Sequence, residues 1–138
     1  MIKVLVDVNI FMDVFQFRDG TKSSAEALSK IEEQDKRNNF VSALTIPILY
    51  YLLSQKIGDF NARQKIKELL NNYTIIELTD ELIKKAIDEE KISDFEDCIQ
   101  YLSAKTTFCD AIITRNVKDF KKADINVYTP EDFLSVIT

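Results

Sequence analysis

The sequence predicts an α/β protein, a three-layer α/β/α arrangement around a mainly parallel central sheet. Three observations carry this expectation. Short apolar runs alternate with longer stretches of helical periodicity along the whole chain. Turn formers are scarce: two glycines (Gly20, Gly58) and two prolines (Pro47, Pro130) do not suit an all-β sandwich or barrel. A length of 138 residues, 46% hydrophobic and 30% charged, supplies one core and one polar surface, so a single domain over 1–138 is expected.

Taken in order, Ile2 to Val6 is an apolar run that reads as a buried strand, with Asp7 and Asn9 just beyond its C-terminal end. Ile10 to Phe17 is strongly apolar and begins a helix or turn, and Arg18 to Lys22 is a polar loop carrying Gly20. Ser23 or Ser24 caps a helix to about Asn38 that buries Ala27, Leu28 and Ile31. Phe40 to Ser42 is a short strand. Leu44 to Leu53 is a buried helix, and Pro47 sits without cost in its first turn if Thr45 is the N-cap. Gly58 ends that helix or the loop after it. Asn61 to Asn72 is an amphipathic helix with Ile66, Leu69 and Leu70 inward.

Tyr73 to Leu78 is a strand, and Thr79 or Asp80 caps a helix through about Lys91. Ser93 or Asp94 caps the next helix, Phe95 to Lys105, whose apolar stripe is Phe95, Ile99 and Leu102. Ala111 to Thr114 is an Ile-rich strand, and Val127 with Tyr128 is a last short one. Pro130 opens a final helix at its first position.

Composition also excludes chemistry. The chain has no histidine, so a Ser-His-Asp triad, a Cys-His pair and a histidine zinc site are impossible. Two isolated glycines make no phosphate-cradling loop and no dinucleotide fingerprint. Cys98 and Cys109 are too few for a disulfide framework and read as reduced core thiols. The start of the chain reads as a strand and not as a signal peptide, and no stretch is apolar enough for a membrane span; a cytoplasmic location is expected. A net charge of −5 gives no global attraction to nucleic acid, but it suits a site where carboxylates gather around a cation.

In open α/β sheets, ligands bind beyond the carboxyl ends of the strands, where the strand order reverses. Three segments deliver polar side chains to such ends: Asp7 with Asn9; Asp94-Phe95-Glu96-Asp97 at a helix start; and Thr114, Asn116 and Asp119 after the Ile-rich strand. Hard cations such as Mg²⁺ or Mn²⁺ take oxygens of this kind. Taken singly, each piece also fits an ordinary turn, cap or solvated first turn. On the helical wheel Asp97 lies beside Tyr101 and Ala104, away from the Phe95 stripe, on a solvated face or at a cleft edge.

Four strings add a resemblance. They are Val4 to Phe15 (VLVDVNIFMDVF), Asp94 to Tyr101 (DFEDCIQY), Ile112 to Asn116 with Lys118-Asp119-Phe120, and Thr129 to Leu134 (TPEDFL). Together they resemble, in order, one bacterial branch of the PIN domain family. The resemblance implies a parallel sheet with flanking helices and Mg²⁺- or Mn²⁺-dependent endonucleolytic cleavage of RNA by activated water. It also implies kinship with VapC-like toxins, which an antitoxin neutralises, and a homodimer. By the same analogy Asp7, Asp97, Asn116 and Asp119 are metal ligands, with Asp7, Asp97 and Asp119 catalytic. Asn9, Thr114, Asp94 and Glu96 support them, and Arg115 and Lys118 contact RNA. Two positions depart from the family pattern: Ile48 (or Pro47, if the register slips) stands where a Glu is usual, and Asn116 where an Asp is usual.

Two other readings compete. A PIN-like RNA- or protein-binding module with a decayed site is consistent with Ile48 and Asn116. A phosphotransfer domain would use Asp7 as nucleophile, yet no lysine is obviously placed at a strand end to neutralise the phosphoryl group. Lys121 and Lys122 near the site, and Arg63, Lys65 and Lys67 on another helix, are further basic candidates for RNA. Tyr50 and Tyr51 read as core or dimer contacts.

Overall fold

The computed structural model describes residues 1–16 and 21–137. Five strands form one sheet: β1 (Val4–Val6), β2 (Asn39–Ser42), β3 (Thr74–Ile76), β4 (Ala111–Ile113) and β5 (Asn126–Tyr128). Their order is β3-β2-β1-β4-β5, and every pairing is parallel. Among the described residues the sheet is therefore wholly parallel, more uniform than the mainly parallel one expected. Among the described residues six α-helical elements accompany it: α1 (Val8–Gln16), α2 (Thr21–Glu32), α3 (Thr45–Leu69), α4 (Asp80–Asp88), α5 (Phe95–Thr106) and α6 (Pro130–Ile137).

The layers follow from strand alternation. Val4, Val6, Val41, Ala111 and Ile113 face one way and pack with Ile10, Phe11, Leu28, Ile31, Leu49, Leu53, Ile66 and Phe133 of α1, α2, α3 and α6. Leu5, Phe40, Ile76 and Ile112 face the other way and pack with Leu82, Ala86, Cys98, Ile99, Tyr101 and Ala104 of α4 and α5. This is the three-layer α/β/α fold. Phe11 meets the ring of Tyr73 edge-on at 5.3 Å, deep in the first layer. Phe11→Ala is expected to cost about 3–5 kcal/mol, read as a lower urea midpoint at an unchanged slope.

Caps define several helix starts. Thr79 Oγ1 accepts from Leu82 N (3.1 Å) ahead of α4, Asp94 Oδ1 from Asp97 N (2.9 Å) ahead of α5, and Thr129 Oγ1 from Asp132 N (3.0 Å) ahead of α6. At the start of α3 the flanking residue is Leu44, not Thr45, and it makes no side-chain cap. Pro47 still lies in the first turn, where no intrahelical N–H is needed. Gly58 interrupts α3 as expected: with φ 82° and ψ 168° it is non-helical, and two helical segments meet there at a kink. A Cβ there would meet nothing within 4 Å, so the positive φ and not crowding disfavours other residues.

Three expectations shift. The helix thought to start at Ser23 or Ser24 starts by Thr21; Ser24 is fully buried inside it and donates to Asp13 Oδ2 (2.8 Å). It stops at Glu32, and a 3₁₀ turn (Lys36–Asn38), capped by Asp35, follows. The loop expected at 18–22 falls largely on residues 17–20, outside those described. The apolar stripe of α5 is also different. Phe95 is 47% exposed, while Asp97, Cys98, Gln100, Tyr101 and Ala104 are buried with Ile99. The helix turns a mixed polar and apolar face to the sheet: Gln100 Nε2 reaches Thr45 Oγ1, while Gln100 Oε1 and Ser103 Oγ are buried without a protein partner.

Candidate metal centre

The strand order reverses between β1 and β4, which opens a crevice at their carboxyl ends. Asp7 stands there as the residue after β1, its N–H donating to Ile113 O (3.0 Å). Its carboxylate is held from three sides. Oδ1 accepts from Val8 N (2.7 Å), and Oδ2 accepts from Thr114 Oγ1 (2.8 Å) and Asn9 Nδ2 (3.2 Å). Thr114 in turn is anchored by its N–H to Tyr128 O (2.9 Å), and its hydroxyl accepts from Asn116 N (3.1 Å). Asn9 Oδ1 accepts from Arg115 N (3.2 Å). The ends of β1 and β4 are thus laced together around one carboxylate.

Asp97 comes from the first turn of α5, on its inward face. The Asp94 cap fixes that turn, and the positive end of the helix favours the acids gathered there. Asp7, Asn9, Glu96, Asp97, Gln100 and Asn116 line a cavity of about 130 Å³ with Val8, Leu44 and Ile48. A larger cavity of about 380 Å³, beside Phe11 and Leu28, lies elsewhere, and its charged groups, Glu32, Lys65 and Glu68, are of mixed sign. The small polar one is the better candidate, because convergence of carboxylates and not size marks a cation site.

The electrostatics agree. Burial pushes the Asp97 carboxyl up to about 7, helped by the charges of Asp7, Asp94, Asp119 and Glu96. Burial also raises Asp7, against the hydrogen bonds from Thr114 and Val8 that favour its charge, while Glu96 and Asp94 add to the rise. Two neighbouring acids that resist ionisation are what a cation would relieve.

Of the residues singled out from the sequence, Asp7, Asn9, Glu96, Asp97 and Asn116 line this cavity. Thr114 stands behind Asp7, and Asp94 caps α5. Asp119 does not line it: it is exposed on the 3₁₀ turn Val117–Phe120 and reaches Asp97 through its field. No three Asp, Glu or Cys side chains among the described residues converge as a metal-binding group. Asp7 and Asp97 are the buried carboxylates of the donor set, the exposed Glu96 also lines the cavity, and with the amides they fit a hard cation with several retained waters.

The Arg115 guanidinium is turned away from solvent. It donates to Asp13 Oδ2 (2.8 Å), Ser24 Oγ (3.0 Å) and both oxygens of Glu131 (2.8 and 2.9 Å). Lys118 is exposed. Sequence reasoning missed Asp13, Glu131 and Gln100. Asp13 had a signal: an acid inside an otherwise apolar helical run is either misplaced or paired. Gln100 had none, since its importance depends on which helix face turns inward.

Residues 3–118 match the family model described as PIN domain. Ribonuclease VapC1 of Aquifex aeolicus (strain VF5) is 36% identical over 136 residues, covering 95% of this chain and 92% of the relative. Among solved structures, a toxin-antitoxin complex from Klebsiella pneumoniae superposes with TM-score 0.71 at 24% identity, over 92% of this chain and 97% of that one. VapC20 of Mycobacterium tuberculosis, a sarcin-ricin loop cleaving toxin, superposes with TM-score 0.62 at 12% identity, over 79% and 86%. These structural likenesses speak for the fold.

Proposed function

This chain belongs to the PIN domain family, and from that premise we propose that it is an endoribonuclease dependent on Mg²⁺ or Mn²⁺ and the toxin of a toxin–antitoxin pair. The observation that carries the reading is the cavity itself, where Asp7 and Asp97 meet from segments ninety residues apart in sequence. The 36% identity to a ribonuclease over nearly the full chain supports the same substrate class. The similarity to a toxin-antitoxin complex supports an antitoxin as partner. No helix among the described residues is long and apolar enough to cross a membrane, and we place the protein in the cytoplasm.

Asp7 and Asp97 would hold the cation, with Asn116 beside them. A bound cation would supply positive charge for the phosphate and activate water for attack on the phosphodiester. Asn9 and Thr114 keep the Asp7 carboxylate in one orientation. Glu96 and Asp119 act on Asp97 through their charge. Exposed Lys118, Lys121 and Lys122 take the RNA backbone, while Arg115 serves the frame on which the site stands. A homodimer belongs to the same proposal, with the exposed Tyr51 and Phe60 of α3 as apolar surface for it.

Incubating the purified protein with RNA and Mn²⁺ or Mg²⁺ tests the reading. Cleavage is expected, with EDTA abolishing it. Cleavage equal in the Asp7→Asn variant would sink the assignment. Cation and proton also compete for Asp97, which titrates near 7. Mn²⁺ affinity is therefore expected to fall about fivefold from pH 7 to pH 6 and to approach tenfold per unit at lower pH, read by calorimetry at pH 7, 6 and 5.

One observation favours a second reading. Ile48 presents an apolar surface to the cavity, and a site with two acids holds divalent ions less tightly. A binding module without catalysis would show no Mn²⁺ uptake at millimolar concentration and unchanged partner binding in Asp97→Asn.

A further inference from the structure

Gln100 lies one helical turn after Asp97 on the buried face of α5 and is only 2% exposed. Its Nε2 donates to Thr45 Oγ1 (3.1 Å) at the start of α3, a residue that does not line the cavity. Its Oε1 is buried and has no hydrogen-bond partner in the protein. Buried acceptors are rarely left so, and an orphan in a polar cavity points to a ligand that completes it. Gln100 lines the same cavity as Asp7 and Asp97, and the wall contributed by Ile48 offers it no donor.

We propose that Gln100 Oε1 is an oxygen ligand of the divalent cation, a neutral third donor beside the two carboxylates. Amide carbonyl oxygens bind hard cations as carboxylates do, but without charge. Thr45 holds the amide nitrogen, so the carbonyl end is presented in one orientation. This adds a buried neutral oxygen to the site on the side where Ile48 supplies none. The proposal rests on the reading of the cavity as a cation site.

The test compares Mn²⁺ affinity, by calorimetry and electron paramagnetic resonance, in wild type, Asp97→Asn, Gln100→Met and Gln100→Glu. Gln100→Met keeps the length and removes the oxygen; affinity is expected to fall about tenfold, a loss of the size seen for partners of metal sites. Gln100→Glu adds a charge, and the Thr45 hydroxyl can turn to donate to it; affinity is expected to rise about tenfold. Melting temperatures in EDTA show that each variant folds. A residue that only braced α5 against α3 would lower the melting temperature in both variants and move neither affinity. Wild-type binding weakened by Asp97→Asn, with both Gln100 variants within twofold of wild type, would overturn the Gln100 assignment alone. No Mn²⁺ binding by the wild type would overturn the cation site, and the assignment with it.

Discussion

Asp97→Asn is expected to abolish RNA cleavage while making the metal-free protein more stable at pH 8. Loss of a direct ligand should cost at least about 100-fold in activity, the upper end of what losing an outer partner of a metal ligand costs. The gain in stability follows from linkage. The Asp97 carboxyl is pushed from an ordinary 3.8 up to about 7, by burial first and then by Asp7, Asp94, Asp119 and Glu96. Between those two values the folded chain holds a proton that the unfolded chain has released. Stability therefore falls as pH rises through that window, and the loss is complete above about 7. The penalty at pH 8 is at most about 4 kcal/mol. Asn cannot ionise, so the variant escapes it. Scanning calorimetry in EDTA should show the variant melting above wild type at pH 8 and close to it at pH 4. Saturating Mn²⁺ should reverse the order at pH 8, because binding stabilises only the protein that binds. A variant that melts below wild type at pH 8 without metal would contradict this account of the site.

Arg115→Ala should destabilise the fold by about 3–5 kcal/mol, the cost of breaking a buried ion pair from one side. The guanidinium follows β4 and joins Asp13 of α1, Ser24 of α2 and Glu131 of α6. Its side chain is 25% exposed and that of Asp13 is 6% exposed. Without Arg115, Asp13 loses the cation that accompanies it into the interior. Arg115→Lys should recover only part of the loss, since one ammonium cannot reproduce a fork that meets two carboxylates. Urea unfolding of Arg115→Ala, Asp13→Ala and the double variant would measure the coupling. The double variant should lose well less than the sum of the single losses, because neither partner is then left unpaired. A single-variant loss under about 1 kcal/mol would mean that the pair is ornamental. Arg115 N, not its side chain, bonds to Asn9, so the folded fraction of Arg115→Ala should keep its Mn²⁺ affinity.

Local rules recovered much of this molecule. The apolar runs that became β1, β2 and β4 are buried on both faces and needed no tertiary information to be recognised. The pairs Thr79 or Asp80 and Ser93 or Asp94, with Pro130, announced the starts of α4, α5 and α6 through capping chemistry and fixed φ, and Thr79 and Asp94 are the caps the structure uses. The absence of histidine narrows the chemistry to carboxylates, and the resemblance of the strings at 4–15 and 94–101 to PIN domains is what singles out Asp7 and Asp97. The failures share one cause. Phe95 was placed inside and Gln100 was passed over because periodicity weighs hydrophobicity alone. A helix that builds a site buries polar atoms instead, to be met by distant groups or by a ligand.

What the sequence by itself determined, then, is the alternation of strands and helices, the caps, and a chemistry limited to carboxylates, amides and hydroxyls. The tertiary structure alone decided which of these meet. Placing β1 beside β4 puts the Thr114 hydroxyl on Asp7 across 107 positions and Arg115 on Asp13 across 102, and packing α5 against β2 puts Gln100 on Thr45 across 55. It also left Asp119 outside the cavity and Ile48 inside it. Propensity and periodicity act over a few residues, whereas a site needs separations of a few ångströms between segments far apart in the chain. Only the packing of the sheet and its helices sets those.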